Sequence, residues 1–298
     1  MSRHTAKGSR ELGLELAAIC GKHFLKLKHL HYGYWTKDLQ LDITNLHIAQ
    51  ENYTDFLVSH IPNGVKTILD VGGGTGQTAK KLIDIGYHVD CVSPSPFLNE
   101  QTRSLLPNTS QVFECTYEQF QTQCKYDVVL FSESFQYVRL DKALEKTLTL
   151  LNNGGYLLIC DFFKMDVNGN GVMHGGHKLA KFQQCIAQYP FELIEDIDIT
   201  EQTAPNLDIF DDTVRNVVGP VLDSSLHYLA NRYPLMVKFL RWKYRKKIER
   251  TYRKYFNSGR TSEDFRKFKT YRLLLYKKTP VSSEPGSDKV GHARHILP

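Results

Sequence analysis

Between Val65 and Lys164, short apolar runs alternate with longer stretches whose apolar positions recur at helical spacing, a pattern that predicts a parallel sheet with crossover helices. The runs are Thr67 to Val71, Tyr87 to Val92, Gln111 to Glu114, Tyr126 to Phe131 and Tyr156 to Asp161. Gly76 to Ile85 reads as a helix capped by Gly86. Leu140, Leu144, Leu148 and Leu151 form a helical stripe that ends at a turn over Asn152 to Gly155. A helix from Lys178 to Tyr189 and strands at Phe191 to Ile199 and Tyr271 to Lys277 follow.

The gap between those last two strands is far longer than an ordinary connection, so residues 201–268 are expected to form a helical cap. The remaining division follows from pattern as well. Residues 1–10 and 280–298 are polar, without periodicity, and are expected to be flexible tails. Residues 11–62 read as a helical segment, interrupted by the aromatic cluster His31 to Trp35, that serves as a lid. Residues 63–200 form the core, completed by a last strand at 269–279. The fold class is α/β, with helices on both faces of the sheet.

Composition narrows the class. At 298 residues and 41% hydrophobic, the chain suffices for one large α/β domain with an added lobe. Its six cysteines show neither a C-x-x-C pair nor the Cys/His spacing of a zinc site, so reduced structural thiols and no metal are expected. Glu15 interrupts the apolar run from Leu12 to Cys20, which argues against a secretory signal, and no run approaches the ~20 residues that span a bilayer. A cytoplasmic protein is expected, attached to a membrane at most by its surface.

Charge is modest overall, at +6, but uneven: residues 238–260 carry many Lys and Arg against the single acid Glu249. Leu240, Tyr244, Ile248, Tyr252 and Tyr255 recur through this segment as an apolar stripe. A solvated outer face of the cap, attachment to an anionic membrane surface, and contact with an acidic substrate or RNA phosphates are the readings it allows.

The chemistry concentrates at Asp70-Val71-Gly72-Gly73-Gly74-Thr75-Gly76. Glycines there permit a tight turn and close backbone approach to a ligand, and Asp70 falls at the strand end where open α/β sheets bind ligands. The dinucleotide fingerprint counted from Gly72 would require glycine where Gln77 stands, and no phosphate-loop pattern follows.

Through Ile68 to Gly76, the chain resembles the class I S-adenosylmethionine-dependent methyltransferases. Tyr126 to Ser134 is similar to that family's fourth-strand motif, and Asn153-Gly154-Gly155 to its turn into the fifth strand. The aromatic run His31-Tyr32-Gly33-Tyr34-Trp35 is similar to the branch of sterol, tocopherol and phosphoethanolamine methyltransferases. Cyclopropane fatty acid synthases share that lead-in but usually carry Cys and Trp where this chain has Gly73 and Thr75.

The resemblance implies S-adenosylmethionine as cofactor, met by Asp70, Gly72, Gly73, Gly74 and Gly76 at its methionine end and by Ser132 beside its amino group. It places Thr116 and Tyr117 at adenine, although a capping Thr and a packing Tyr are equally open. Ser93 stands where the family has an acid for the ribose hydroxyls, so ribose recognition is expected to be looser. Asp90 lies three residues away on the strand and faces the other side.

Methyl transfer asks an enzyme mainly for positioning, water exclusion and, where needed, proton removal. Glu133, His177 and Tyr34 are the expected catalytic groups, with Gln136, Tyr137 and His174 as further candidates. Tyr32, Tyr34 and Trp35 either close over the cofactor, cage a cationic substrate or pack the N-terminal helices, and His177 either acts as a base or caps the helix after it. The expected acceptor is a small, hydrophobic or ring-bearing molecule. An RNA methyltransferase and a non-catalytic cofactor-binding protein are the alternatives; the first is disfavoured because Ser132-Glu133-Ser134-Phe135 lacks the Asn/Asp-Pro-Pro-Tyr/Phe type of site.

Overall fold

The computed structural model describes residues 15, 18–21, 23–167, 175–256 and 260–280. His174 and nearly all of both expected tails lie outside the described residues, as do the side chains of Tyr252 and Tyr255.

All seven expected strands form. They are β1 (Thr67–Val71), β2 (His88–Val92), β3 (Val112–Phe113), β4 (Tyr126–Ser132), β5 (Leu151–Lys164), β6 (Phe191–Asp198) and β7 (Lys269–Lys278). They join one sheet in the order β3-β2-β1-β4-β5-β7-β6. The strands from β3 to β5 pair in parallel, and β7 runs antiparallel to both β5 and β6. The order reverses between β1 and β4, and the crevice at their C-terminal ends is the place such sheets offer a ligand.

Because side chains alternate across a strand, each apolar run supplies two cores. Leu69, Val71, Val129, Phe131, Leu157 and Ile159 pack on one face against helices Leu140–Leu150 and Leu179–Ile186. Ile68, Cys91, Val128, Leu130, Leu158 and Cys160 pack on the other against helices Leu46–Ser59 and Gln77–Asp84.

Two local expectations change. Asn152 to Gly155 is not a turn between elements but a bulge within β5. Leu151 still pairs with Tyr126 and Tyr156 with Val128, so four residues oppose Asp127 alone. Asn152 Nδ2 donates to Asp127 Oδ1 at 2.7 Å and fixes the bulge to its neighbour strand.

The N-terminal segment is also less helical than its pattern suggests. Residues 25–42 are irregular, and the long helix begins only at Leu46. The chain here is held by contacts that leave no periodic trace. Tyr34 N donates to Ala49 O at 2.7 Å, and Gln50 Nε2 to His31 O at 2.7 Å. Asn206 Oδ1, in helix Pro205–Thr213, accepts from Gly33 N and Trp35 Nε1.

Between β6 and β7 the described chain is helical, through Thr200–Thr203, Pro205–Thr213, a π-helical turn Val214–Val218, Gly219–Arg232, Pro234–Phe256 and Ser262–Phe268. Among the described residues, no helix is long and apolar enough to cross a membrane.

Candidate active site

The turn after β1 is set by its glycines. Gly72, Gly74 and Gly76 have φ of +76°, +58° and +80°, a region that side chains other than glycine's seldom tolerate. Gly74 N donates to Gly72 O and Gly76 N to Gly73 O, closing the turn onto helix Gln77–Asp84. A Cβ at Gly73 would overlap Asp70 Oδ2, so the backbone passes directly over that carboxyl.

Asp70 is 1% exposed, and neither of its oxygens has a hydrogen-bond partner among the described residues. Burial alone pushes its pKa up to about 7. A buried carboxylate without a partner is costly, and a ligand that brings a cation to it removes the cost.

That carboxyl lines a cavity of about 520 Å³ over the C-terminal ends of β1, β2 and β4. Gly72, Gly73, Gly74, Ser132 and Glu133 line it with Asp70; Ser93, Thr116 and Tyr117 line it as well. Nine of the expected site residues are thus brought together. The ammonium of a methionine moiety complements Asp70, so this donor set fits S-adenosylmethionine.

On the side of the cavity lined by Ser93, no acid among the described residues takes the place of the serine. Its Oγ accepts from Ser95 N at 3.3 Å, within its own turn, which leaves the hydroxyl hydrogen for a ligand. Asp90 is no substitute, because its oxygens accept from Gln111 N and from the hydroxyl of Tyr126. Tyr117 is anchored by a 2.9 Å contact between its hydroxyl and that of Thr147.

Glu133 follows β4 with φ of +53°, strained for a residue with a side chain. Its Oε1 accepts from Tyr32 N at 2.7 Å and from the Tyr271 hydroxyl at 2.7 Å. Tyr271 also lies 3.0 Å from the Tyr53 hydroxyl, which in turn lies 3.2 Å from Ser132 Oγ. Burial raises Glu133 to about 8, against the two hydrogen bonds that favour its charged form. Asp161, within β5, is likewise pushed up by burial, to about 7, and accepts from Gln136 N.

Four expected site residues lie elsewhere. Gly76 precedes the helix and does not line the cavity; a Cβ there would meet Thr102. Tyr32 contributes its backbone N–H to Glu133, while its ring lies near Phe265 and Tyr271. Tyr34 stacks on Phe56 with ring centres 5.0 Å apart. His177 Nε2 donates to Phe135 O at 3.0 Å, with its ring against that of Phe135, and burial lowers its pKa.

His29, Leu30 and His31 form a wall that sequence reasoning missed. The two imidazoles lie 4.5 Å apart, and His31 lies 4.4 Å from the Tyr53 ring. Burial lowers His31 to about 3, so its imidazole stays neutral, and burial lowers the pKa of His29 as well. Thr75 Oγ1 donates to Lys28 O at 2.6 Å and ties this cover to the glycine turn. The signal available was only the nearness of these histidines to the aromatic run.

Comparison with known proteins agrees with this geometry. The chain is 28% identical over 97 residues to an uncharacterized methyltransferase of Mycobacterium tuberculosis, covering 33% of this chain and 40% of that one. It is 26% identical over 138 residues to an uncharacterized methyltransferase of Bacillus cereus, covering 43% and 65%. The matched region is thus under two thirds of each relative's length.

Among solved structures, the cyclase SpnF superposes with a TM-score of 0.62 at 17% identity, over 90% of this chain and 96% of that one. A candidate sarcosine dimethylglycine methyltransferase of Galdieria sulphuraria gives 0.65 at 14% identity, over 91% and 98%. Geranyl diphosphate C-methyltransferase of Streptomyces coelicolor, solved with S-adenosyl-L-homocysteine, gives 0.59 at 16% identity, over 89% and 92%. At these identities the likeness is one of fold. Residues 46–201 match the family model described as a methyltransferase domain; with more than half the sequence inside that match, the chain belongs to the methyltransferase domain family.

Proposed function

We propose that this protein transfers a methyl group from S-adenosylmethionine to a small hydrophobic or ring-bearing acceptor. The observation that carries the reading is Asp70, a buried carboxyl without a hydrogen-bond partner among the described residues, lying beneath a glycine turn in a cavity that it lines. Asp70 and the backbone of Gly72 to Gly74 would hold the methionine end. Ser93, Thr116 and Tyr117 would hold the nucleoside.

The cofactor, when bound, supplies a methyl group already activated on a sulfonium, which leaves positioning, exclusion of water and proton removal to the chain. His29, Leu30 and His31 supply the cover. Glu133 is the proton acceptor in this reading, since it alone of the three expected catalytic groups lines the cavity. Two donors fix its Oε1, and burial keeps its pKa near neutrality. Tyr34 and His177 would then support packing.

A hydrophobic acceptor is reached at a membrane surface in this reading, with the basic segment 238–260 supplying the attraction. Nucleic acid is not expected as a partner. The second reading, a binding protein of this fold that transfers no methyl group, draws on Ser93 at the ribose position and on the likeness in fold to a protein described as a cyclase.

Calorimetry with S-adenosylmethionine and S-adenosylhomocysteine tests the cofactor; absence of binding by both overturns the proposal. Labelled cofactor incubated with cell extract then tests transfer, and label in the lipid-soluble or small polar fraction is expected. Label confined to RNA would overturn the acceptor class. Binding without transfer to any fraction would favour the second reading.

A further inference from the structure

The two longest cap helices, Gly219–Arg232 and Pro234–Phe256, pack against each other but hardly against the body. From Arg215 to Arg250 every residue is exposed except Gly219 and Val237, which are buried, and Ala230, which is partly so. This is a projecting helical arm. Many of its exposed side chains are large and apolar, among them Leu235 at 83%, Trp242 at 75%, Tyr228 at 69%, Val221 at 60% and Phe239 at 53%. A folded chain seldom leaves so large an apolar surface in water without a partner for it.

Apolar and basic residues interleave along the second helix, with the apolar ones weighted toward its start and the basic ones toward its end. Its first half carries Leu235, Met236, Phe239, Leu240 and Trp242, whereas from Arg245 onward Lys and Arg dominate. Over the whole helix nine Lys and Arg face one acid, Glu249, and Arg245 already pairs with it at 2.9 Å. Lys243 Nζ lies 5.8 Å and 5.6 Å from the ring centres of Phe239 and Tyr244, so the two chemistries meet in mid-helix.

We infer that this arm docks on an anionic lipid bilayer, its apolar half entering the headgroup boundary while its basic half binds the lipid charges. Charge selects this occupant. A second copy of the chain would bring the same cations against themselves, and a nucleic acid would leave the aliphatic Leu235, Met236 and Val221 without purpose. Aromatic side chains mixed with Lys and Arg suit the boundary between hydrocarbon and water, and a helix too polar to span a bilayer lies upon it. The inference rests on the membrane contact proposed above and is independent of methyl transfer.

The chain's two tryptophans make the test direct, because Trp35 is buried and Trp242 is exposed at the arm. The full chain is mixed at low salt with phosphatidylcholine vesicles, with or without phosphatidylserine. Sedimentation with the mixed vesicles only and a blue shift of Trp242 emission are expected. Leu235→Ser with Phe239→Ser should weaken sedimentation at least tenfold and cancel the shift, while cofactor binding by calorimetry stays unchanged.

Failure to sediment at all would overturn the membrane contact itself. Sedimentation without a shift, lost in Lys246→Glu with Lys247→Glu but kept in the apolar variant, would leave a surface contact and overturn the docking of the arm. A dimer that the apolar variant dissolves, without vesicle binding, would assign the arm to a second copy. Binding of RNA in place of vesicles would overturn the inference equally.

Discussion

The hydroxyl of Tyr271, on β7, donates to Glu133 Oε1 at 2.7 Å and so fastens the end of β4 to a strand beyond its immediate neighbour. Tyr271→Phe removes a donor that favours the charged carboxylate, so the pKa of Glu133 should rise further above about 8. The acid limb of the pH–rate profile for methyl transfer should move to higher pH. At neutral pH, where Glu133 is held protonated in the ligand-free fold, stability should fall by about 0.5–1.5 kcal/mol, the usual worth of a hydrogen bond between neutral groups, as read from denaturant unfolding.

Asp70→Asn keeps the shape of the side chain and removes its charge. Affinity for S-adenosylmethionine should drop about 10–100-fold, on the scale of one charge-assisted contact. 5′-Methylthioadenosine, which lacks the whole amino-acid end, provides the control in calorimetry, and it should discriminate less between the variant and the parent.

Asp70, Asp161 and Glu133 have folded pKa values pushed to about 7, 7 and 8 by burial. Unfolded, they titrate near 4. Each therefore opposes folding once the unfolded carboxyl ionises and the folded one cannot. Ligand-free stability should fall as pH rises from about 4 to about 8 through these groups, and the Asp70→Asn variant should show a shallower fall. Ligand affinity should rise over the same interval, with a proton released on binding. Calorimetry near pH 6 in buffers of different ionisation enthalpy reads that proton.

Gly73→Ala places a methyl group on Asp70 Oδ2. Thermal unfolding should show a lower midpoint, and cofactor affinity should drop at least tenfold. Gly86→Ala meets no neighbouring atom within 4 Å and pays only for its φ of +106°, so it should lose stability while leaving affinity intact.

Ser93→Asp tests the nucleotide end. If a hydroxyl holds the ribose weakly, the parent should bind a 2′-deoxy analogue nearly as well as the intact cofactor. The Asp variant should bind the intact cofactor more tightly and separate the two in competition assays.

The strands and the glycine turn were legible because each has a period or a backbone requirement that restricts residue type. Alternation in Ile68-Leu69-Asp70-Val71 places successive side chains in different cores, and glycine is nearly obligatory over Asp70. His29 and His31 were not legible, because their segment is held by single hydrogen bonds to Gln50 and Tyr32 that have no sequence period. His177 and Tyr34 drew attention through residue type and nearness to a motif, yet a carbonyl and a phenyl ring occupy them. Glu133 was legible from the fourth-strand motif; its partner Tyr271 was hidden by a sequence separation of 138 residues.

The placement of β7 between β5 and β6 has a consequence for synthesis. β6 emerges from the ribosome about seventy residues before β7, its pairing strand among the described residues. During that interval its backbone groups are open to other chains, and Glu133 has yet to meet Tyr271. A nascent chain stalled within the cap would hold the glycine turn but not the finished acid, and would depend on chaperones to keep its sheet edge from strangers.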